Sequence, residues 1–185
     1  MNISNILERY SENTSSYTVS VMAFDSPVGI IIAAGDEEFI YIVSFKDSKN
    51  LDKIFKTVSK ELNCKFKEGN NKLLLDLKDD IDKYFDGKLK KFNTPIKQFG
   101  SDFQKEVWDM LCKQPYGTTQ TYGELAKALG RSGSHARAIG AACGANAHLI
   151  VVPCHRIVAT ATKGGFSSGL DRKEWLLQHE EKYNT

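Results

Sequence analysis

The chain has 185 residues, 25 Lys and Arg against 23 Asp and Glu, and is 41% hydrophobic and 26% charged, the make-up of a soluble globular protein able to bury one large core or two small ones. No apolar run approaches the roughly 18 residues of a membrane-spanning helix, and the start, Met1-Asn2-Ile3-Ser4-Asn5, lacks the charged and apolar regions of a secretory signal. Cys64, Cys112, Cys143 and Cys154 show no paired spacing, which argues against a disulfide framework or zinc finger and for free thiols in a reducing compartment, the cytoplasm, or the nucleus of a eukaryote.

The first half reads as an α/β unit over residues 1–99. Tyr17, Val19 and Val21 alternate, Gly29-Ile30-Ile31-Ile32-Ala33 follows Pro27, and Phe39-Ile40-Tyr41-Ile42-Val43 follows the turn-like Gly35-Asp36-Glu37-Glu38, predicting three strands of an antiparallel meander. Leu51, Ile54, Phe55, Val58 and Leu62 fall at helical spacing, as do Leu74, Leu77, Ile81 and Phe85 before Gly87. An edge strand is expected near Phe92 to Ile96. This half has no histidine and no catalytic cluster, so its expected role is that of a scaffold.

The second half, residues 100–185, opens on a capping box, Ser101 with Gln104, ahead of an apolar face made by Phe103, Val107, Met110 and Leu111. Pro115-Tyr116-Gly117 ends that helix. Thr121 and Glu124 form a second capping box for a short helix closed by Gly130, and Ser134 is expected to cap a third, from His135 to about Cys143, with Gly144 as its stop. Two short helices joined through Gly130-Arg131-Ser132-Gly133 make a helix-turn-helix. The third helix, with Ala136, Ala138, Gly140, Ala141 and Ala142 around Arg137, could press against a narrow surface or simply against another helix. Residues 113–173 carry eight basic side chains against two acidic ones, whereas residues 1–99 balance at fifteen each. The asymmetry suits a phosphate backbone, or a solvated face.

Val151-Val152-Pro153-Cys154-His155-Arg156-Ile157-Val158 joins a cysteine to an adjacent imidazole after an apolar run. A thiol becomes a strong nucleophile when ionised, and an imidazole is its usual activator. On an extended backbone neighbouring side chains diverge, so Cys154 and His155 can cooperate only if the chain turns, which Pro153 favours.

Pro153-Cys154-His155-Arg156 with Ile157-Val158 resembles the active-site signature of the O6-alkylguanine-DNA alkyltransferases, the methylated-DNA-protein cysteine methyltransferases. The resemblance extends over Thr121-Tyr122-Gly123-Glu124-Leu125-Ala126, Ala136-Arg137-Ala138-Ile139-Gly140, Asn146, Gly169-Leu170 and Lys173-Glu174-Trp175-Leu176-Leu177, in order, from about Gly100 to Glu180. It implies a ribonuclease-H-like first domain and a mostly helical second domain with a winged helix-turn-helix. It also implies irreversible, single-turnover transfer of an alkyl group from O6-alkylguanine, and from O4-alkylthymine, to Cys154. The base must first be flipped out from the minor groove, because a stacked base hides its O6.

The resemblance casts His155, oriented by Glu174, as the base acting on Cys154 through water, and Asn146 as the residue that places the cysteine loop. From residue chemistry alone Asn146 could be a turn asparagine, and Glu174 could merely complete a capping box with Asp171. DNA contacts fall to Tyr122, Gly123, Ser132, Ser134, Thr160 and the intercalating Arg137. The base pocket would use Tyr122, Cys154, Ile157, Phe166, Ser168 and the backbone N–H of Ser167. Tyr122 could otherwise be a half-buried packing residue. His135, His148 and His179 are expected at the surface or at helix ends.

No metal or cofactor is expected: some members hold a structural zinc in the first domain, but no histidine precedes His135 here. The expected partner is double-stranded DNA bearing O6-alkylguanine, met by a monomer, with no membrane. The chain departs from the family where Phe166 replaces the usual Tyr, Ser168 a Gly or Ala, and Ala147 a common proline, and its active-site loop is one residue shorter. A cysteine hydrolase would share Cys154 and His155 but turn over repeatedly. A non-catalytic DNA-binding module would not need Cys154, and alkyltransferase-like proteins lack a cysteine there.

Overall fold

The computed structural model describes residues 3–11 and 14–185; part of the polar start, Met1 and Asn2, lies outside the described residues. Its contacts divide the chain into two compact units, Met1–Phe99 and Gly100–Thr185.

In the first unit, β1 (Thr18–Phe24), β2 (Ile31–Gly35) and β3 (Ile40–Phe45) form the antiparallel meander, and with β4 (Lys65–Glu68) they make a four-stranded sheet ordered β3-β2-β1-β4. Alternation in β1 sends Val19 and Val21 inward, whereas β2 and β3 are buried along their whole length, as expected of strands covered on both faces. Gly35 sits at a β-bulge where an added Cβ would lie 2.7 Å from the Phe39 carbonyl oxygen. The helices α2 (Leu51–Leu62) and α3 (Lys72–Phe85) follow their apolar spacing; α2 stops at Asn63 in the left-handed region, and Asn71 caps α3 through Leu74 N.

Three features differ from expectation. Residues Ile3–Ser11 form a helix, α1, whose Ile6 is fully buried and whose Tyr10 stacks on Phe55. Lys65–Glu68 is a fourth strand, β4, parallel to β1; its one buried side chain, Phe66, is too little pattern to announce a strand. Residues 92–96 form no strand. Pro95 has no N–H to give a ladder, and the contact is a single bridge between Ile40 and Ile96.

In the second unit, α4 (Asp102–Lys113) and α5 (Tyr122–Ala128) both start on complete capping boxes, Ser101 with Gln104 and Thr121 with Glu124. The next helix, α6 (Ala136–Gly144), is entered through a 3₁₀ turn, Gly133–His135. Ser134 therefore does not cap it: the turn satisfies the approach, and the Ser134 hydroxyl pairs with that of Ser132 at 2.5 Å. The core between α4 and α6 is pinned by Trp108 Nε1, which donates to the Ala142 carbonyl at 2.9 Å. Two short parallel strands, β5 (Gln120–Thr121) and β6 (Ile157–Val158), tie the start of α5 to the segment after Cys154. The closing helix, α7 (Leu170–Tyr183), starts at Gly169, which sits at φ 99°. This start leaves Asp171 inside the first turn and without a capping role.

Candidate active site

Cys154 begins a 3₁₀ turn, Cys154–Arg156, directly after Pro153, so the chain turns where the proline suggested. The turn is braced from upstream. Asn146 Nδ2 donates to the Val152 carbonyl at 2.8 Å and to Cys154 Sγ at 3.2 Å, while its Oδ1 accepts from His148 N at 2.8 Å. All three bonds are buried, so Asn146 is the keystone of the loop and more than a turn asparagine. Within that loop Ile150 is held at φ 73°, a conformation a β-branched residue adopts only under strain.

His155 is fully buried, and its Nε2 lies 2.6 Å from Glu180 Oε1. Arg156 grips the same carboxylate in a fork, Nε to Oε2 at 2.8 Å and Nη2 to Oε1 at 3.1 Å, and Gly117 N adds a fourth bond at 3.0 Å. With these donors and the guanidinium charge, the Glu180 carboxyl stays ionised far below the usual carboxylate range, despite a burial penalty that acts the other way. An ionised carboxylate only accepts, so the His155 proton sits on Nε2 and the buried Nδ1 carries the lone pair. Burial holds the imidazole pKa below its ordinary value, against the pull of Glu180. His155 is thus held as an oriented imidazole whose burial favours the neutral form.

Glu174 does not do this. It is exposed, six residues and about 120° around α7 from Glu180, whereas Lys173, Leu176 and Glu180 share the buried face. The signal available in the sequence was the phase of Glu180, seven residues after Lys173 and four after Leu176, which puts a carboxylate at a core position.

Lys173 is the second residue the sequence did not announce. It is fully buried, and its Nζ donates to the carbonyls of Ile157 at 2.5 Å and Gly165 at 3.0 Å. It therefore staples β6 to the loop that follows, and burial lowers its pKa, partly opposed by the neighbouring thiols Cys154 and Cys143. Burial likewise pushes the Cys154 thiol up, while the Asn146 hydrogen bond and the Lys173 charge pull it back. Arg156 and Lys173, both buried, leave the positive field of this half weaker than a sequence count implies.

A cavity of about 370 Å³ opens onto Cys154 and is walled by Tyr122, Arg137, Gly140, Cys143, Phe166 and Ser167, among others. The Tyr122 hydroxyl accepts from Gly165 N at 3.3 Å, leaving its own proton free to donate. Ile157 and Ser168 are buried but do not line the cavity; Ser168 instead gives its carbonyl to Arg172 Nη1 at 2.6 Å. Ser132, Ser134 and Arg137 are exposed at the start of α6, and Gly123 lies in the first turn of α5, where an added Cβ would meet nothing within 4 Å. Thr160 lies apart, on a separate cleft of about 550 Å³ with Thr119, Thr162 and Lys163. Of the remaining histidines only His135 is exposed: His148 is buried in the cysteine loop, and His179 is buried on α7, stacked on Trp175 with ring centroids 5.0 Å apart.

Two family models match almost end to end: the ribonuclease-like domain of 6-O-methylguanine DNA methyltransferase over residues 17–98, and its DNA binding domain over residues 102–182. A methylated-DNA–protein-cysteine methyltransferase from Methanosarcina acetivorans is 41% identical over 159 residues, 85% of this chain and 95% of the relative. The chain belongs to the 6-O-methylguanine DNA methyltransferase family. Among solved structures, the Mycobacterium tuberculosis O6-methylguanine methyltransferase superposes with a TM-score of 0.75 at 31% identity, covering 89% of this chain and 94% of that one. The same organism's OGT in complex with DNA gives a TM-score of 0.74 at 30% identity, covering 90% and 94%. The α/β first unit and the mostly helical second unit, with α5 and α6 as its helix-turn-helix, are those of the family.

Proposed function

We propose that this chain is a methylated-DNA–protein-cysteine methyltransferase that repairs O6-alkylguanine in double-stranded DNA by moving the alkyl group irreversibly to Cys154. The observation that carries the reading is one cavity with Cys154 at its floor, Tyr122 and Arg137 on its walls, and behind Cys154 a neutral imidazole locked by Glu180.

The alkylated oxygen of guanine is out of reach in a stacked duplex, so the base must swing into the cavity. The small-residue face of α6 lets the backbone approach the minor groove, with Arg137 filling the gap in the stack. The N–H groups of Gly123, Ser132, Ser134 and Thr160 are suited to phosphate oxygens. The Cys154 proton passes through water to His155 Nδ1, sulfur attacks the alkyl carbon in line, and the S–C bond forms as the O6–C bond breaks. Tyr122 protonates the departing guanine and regains a proton from the thiol's share held at His155. The product thioether is a poor leaving group, so each molecule acts once, as a monomer and without metal or cofactor. The proposal extends to O4-alkylthymine, whose O4–alkyl bond would be cleaved by the same in-line attack.

Intact-mass measurement after incubation with O6-methylguanine duplex DNA tests this reading. A gain of one methyl group on Cys154, with equimolar lesion loss and none after Cys154→Ser, is expected. Repeated turnover by one polypeptide would favour a hydrolase instead.

A further inference from the structure

The wall of the Cys154 cavity contains a second thiol that alkyl transfer leaves without a task. Cys143, in the last turn of α6, faces the same space, and one residue ties the two together. Asn146 donates its backbone N–H to the Cys143 carbonyl at 3.2 Å and its side-chain amide to Cys154 Sγ at 3.2 Å. Both cysteines are nearly closed to solvent, 8% and 5% exposed. Burial raises both thiols, and a thiolate at Cys154 would disfavour one at Cys143 further. Around them the wall is small, Ala136, Gly140 and Gly165, with Phe166 as its aromatic side.

Both thiols are raised by burial, and the chamber they share is mostly small and apolar, with Tyr122, Arg137 and Ser167 as its polar side. They suit a ligand that condenses with thiols and stays uncharged. We infer that Cys143 and Cys154 together form a dithiol site for monosubstituted trivalent arsenicals, with the organic substituent lying against Phe166. In that reaction R–As(OH)₂ and two S–H groups exchange two As–O bonds for two As–S bonds. Two waters leave, arsenic remains trivalent, and no charge is created. Occupancy excludes alkyl transfer, and an alkylated Cys154 cannot close the second bond. The inference rests on the shared cavity and not on the nature of the DNA lesion.

The probe is phenylarsine oxide, added to the full chain in a phosphine reductant. The expected product is one phenylarsenic unit per chain in place of two thiol hydrogens; when the loaded protein is then opened in urea, iodoacetamide labels Cys64 and Cys112 but neither Cys143 nor Cys154, whereas the unloaded chain labels at all four. Cys143→Ala or Cys154→Ser should weaken retention by on the order of 10²-fold or more, the gain from closing the second bond within one molecule. Cys64→Ser and Cys112→Ser should not. Equal retention by Cys143→Ala, or a Cys143 still open to iodoacetamide in the loaded protein, would overturn the inference. If Cys143→Ala does not fold, the labelling pattern of the unsubstituted chain decides. Either failure leaves the methyl-gain result on Cys154 untouched, so the two readings fall separately.

Discussion

Replacing Glu180 by Gln keeps the shape of the side chain and removes the charge on which the site converges. The carboxylate accepts four donors, from His155, Arg156 twice and Gly117; an amide offers one accepting oxygen and turns an NH₂ toward the remaining donors. Arg156, 6% exposed, then keeps its charge without a counter-charge, holding only the Gln114 carbonyl and the amide oxygen. Removing one member of a buried ion pair costs about 3–5 kcal/mol, a loss a domain with roughly 5–15 kcal/mol of stability can survive. If the NH₂ faces His155, the ring must present a lone pair at Nε2 and carry its proton on Nδ1, where it no longer acts as a base. General-base assistance of about 10²- to 10⁴-fold is then lost from the transfer step. Urea denaturation followed by tryptophan fluorescence gives the first quantity, and single-turnover methyl transfer to Cys154, timed by intact mass on the folded fraction, gives the second. Glu174→Gln, on the exposed side of α7, should change stability by less than about 0.5 kcal/mol and leave the rate alone. A Glu174→Gln variant that lost the rate while Glu180→Gln kept it would refute the assignment.

Asn146→Ala should strand the His148 N–H at about 1–3 kcal/mol for an orphaned buried group, while the Val152 carbonyl keeps only its bond from Cys154 N. It should also move iodoacetamide labelling of Cys154 to higher pH, because a bond to Sγ that favours the thiolate is lost. Lys173→Met removes both the staple on Ile157 and Gly165 and the positive charge near Cys154; methyl transfer should slow, with the labelling profile again shifted upward. Acid should destabilise the protein in two stages. The unfolded chain protonates its imidazoles near pH 6.5 whereas buried His155 does not, so stability falls as pH drops from about 6.5. The contribution of Glu180, whose folded pKa is depressed, is present above about pH 4.3 and lost as pH falls below it. Urea midpoints from pH 7 to pH 4 should decline throughout, and a flat profile between pH 7 and pH 5 would contradict the neutral state of His155.

What could be read along the chain was whatever depends on near neighbours. The capping boxes at Ser101 and Thr121, the alternation of β1, the helical phase of α2 and α3, and the turn after Pro153 are all settled within a few residues, where backbone sterics and local hydrogen bonds dominate. The likeness of Pro153-Cys154-His155-Arg156 and its flanking motifs identified the family for the same reason, being an ordered set of local signs. The tertiary structure decided which charges are buried and with whom. Three glutamates, Glu174, Glu180 and Glu181, lie along α7, and only packing of its inner face against the cysteine turn selects Glu180. Arg156 and Lys173 read as surface cations until the fold closes over them, one on a carboxylate and the other on two carbonyls. The parallel partner of β1 was hidden likewise, because Lys65–Glu68 is too short and polar to declare itself and gains its conformation from the strand beside it. Burial and long-range pairing belong to the folded whole, and they convert Cys154 from one thiol among four into one set among a fixed imidazole, a held amide and a buried ammonium.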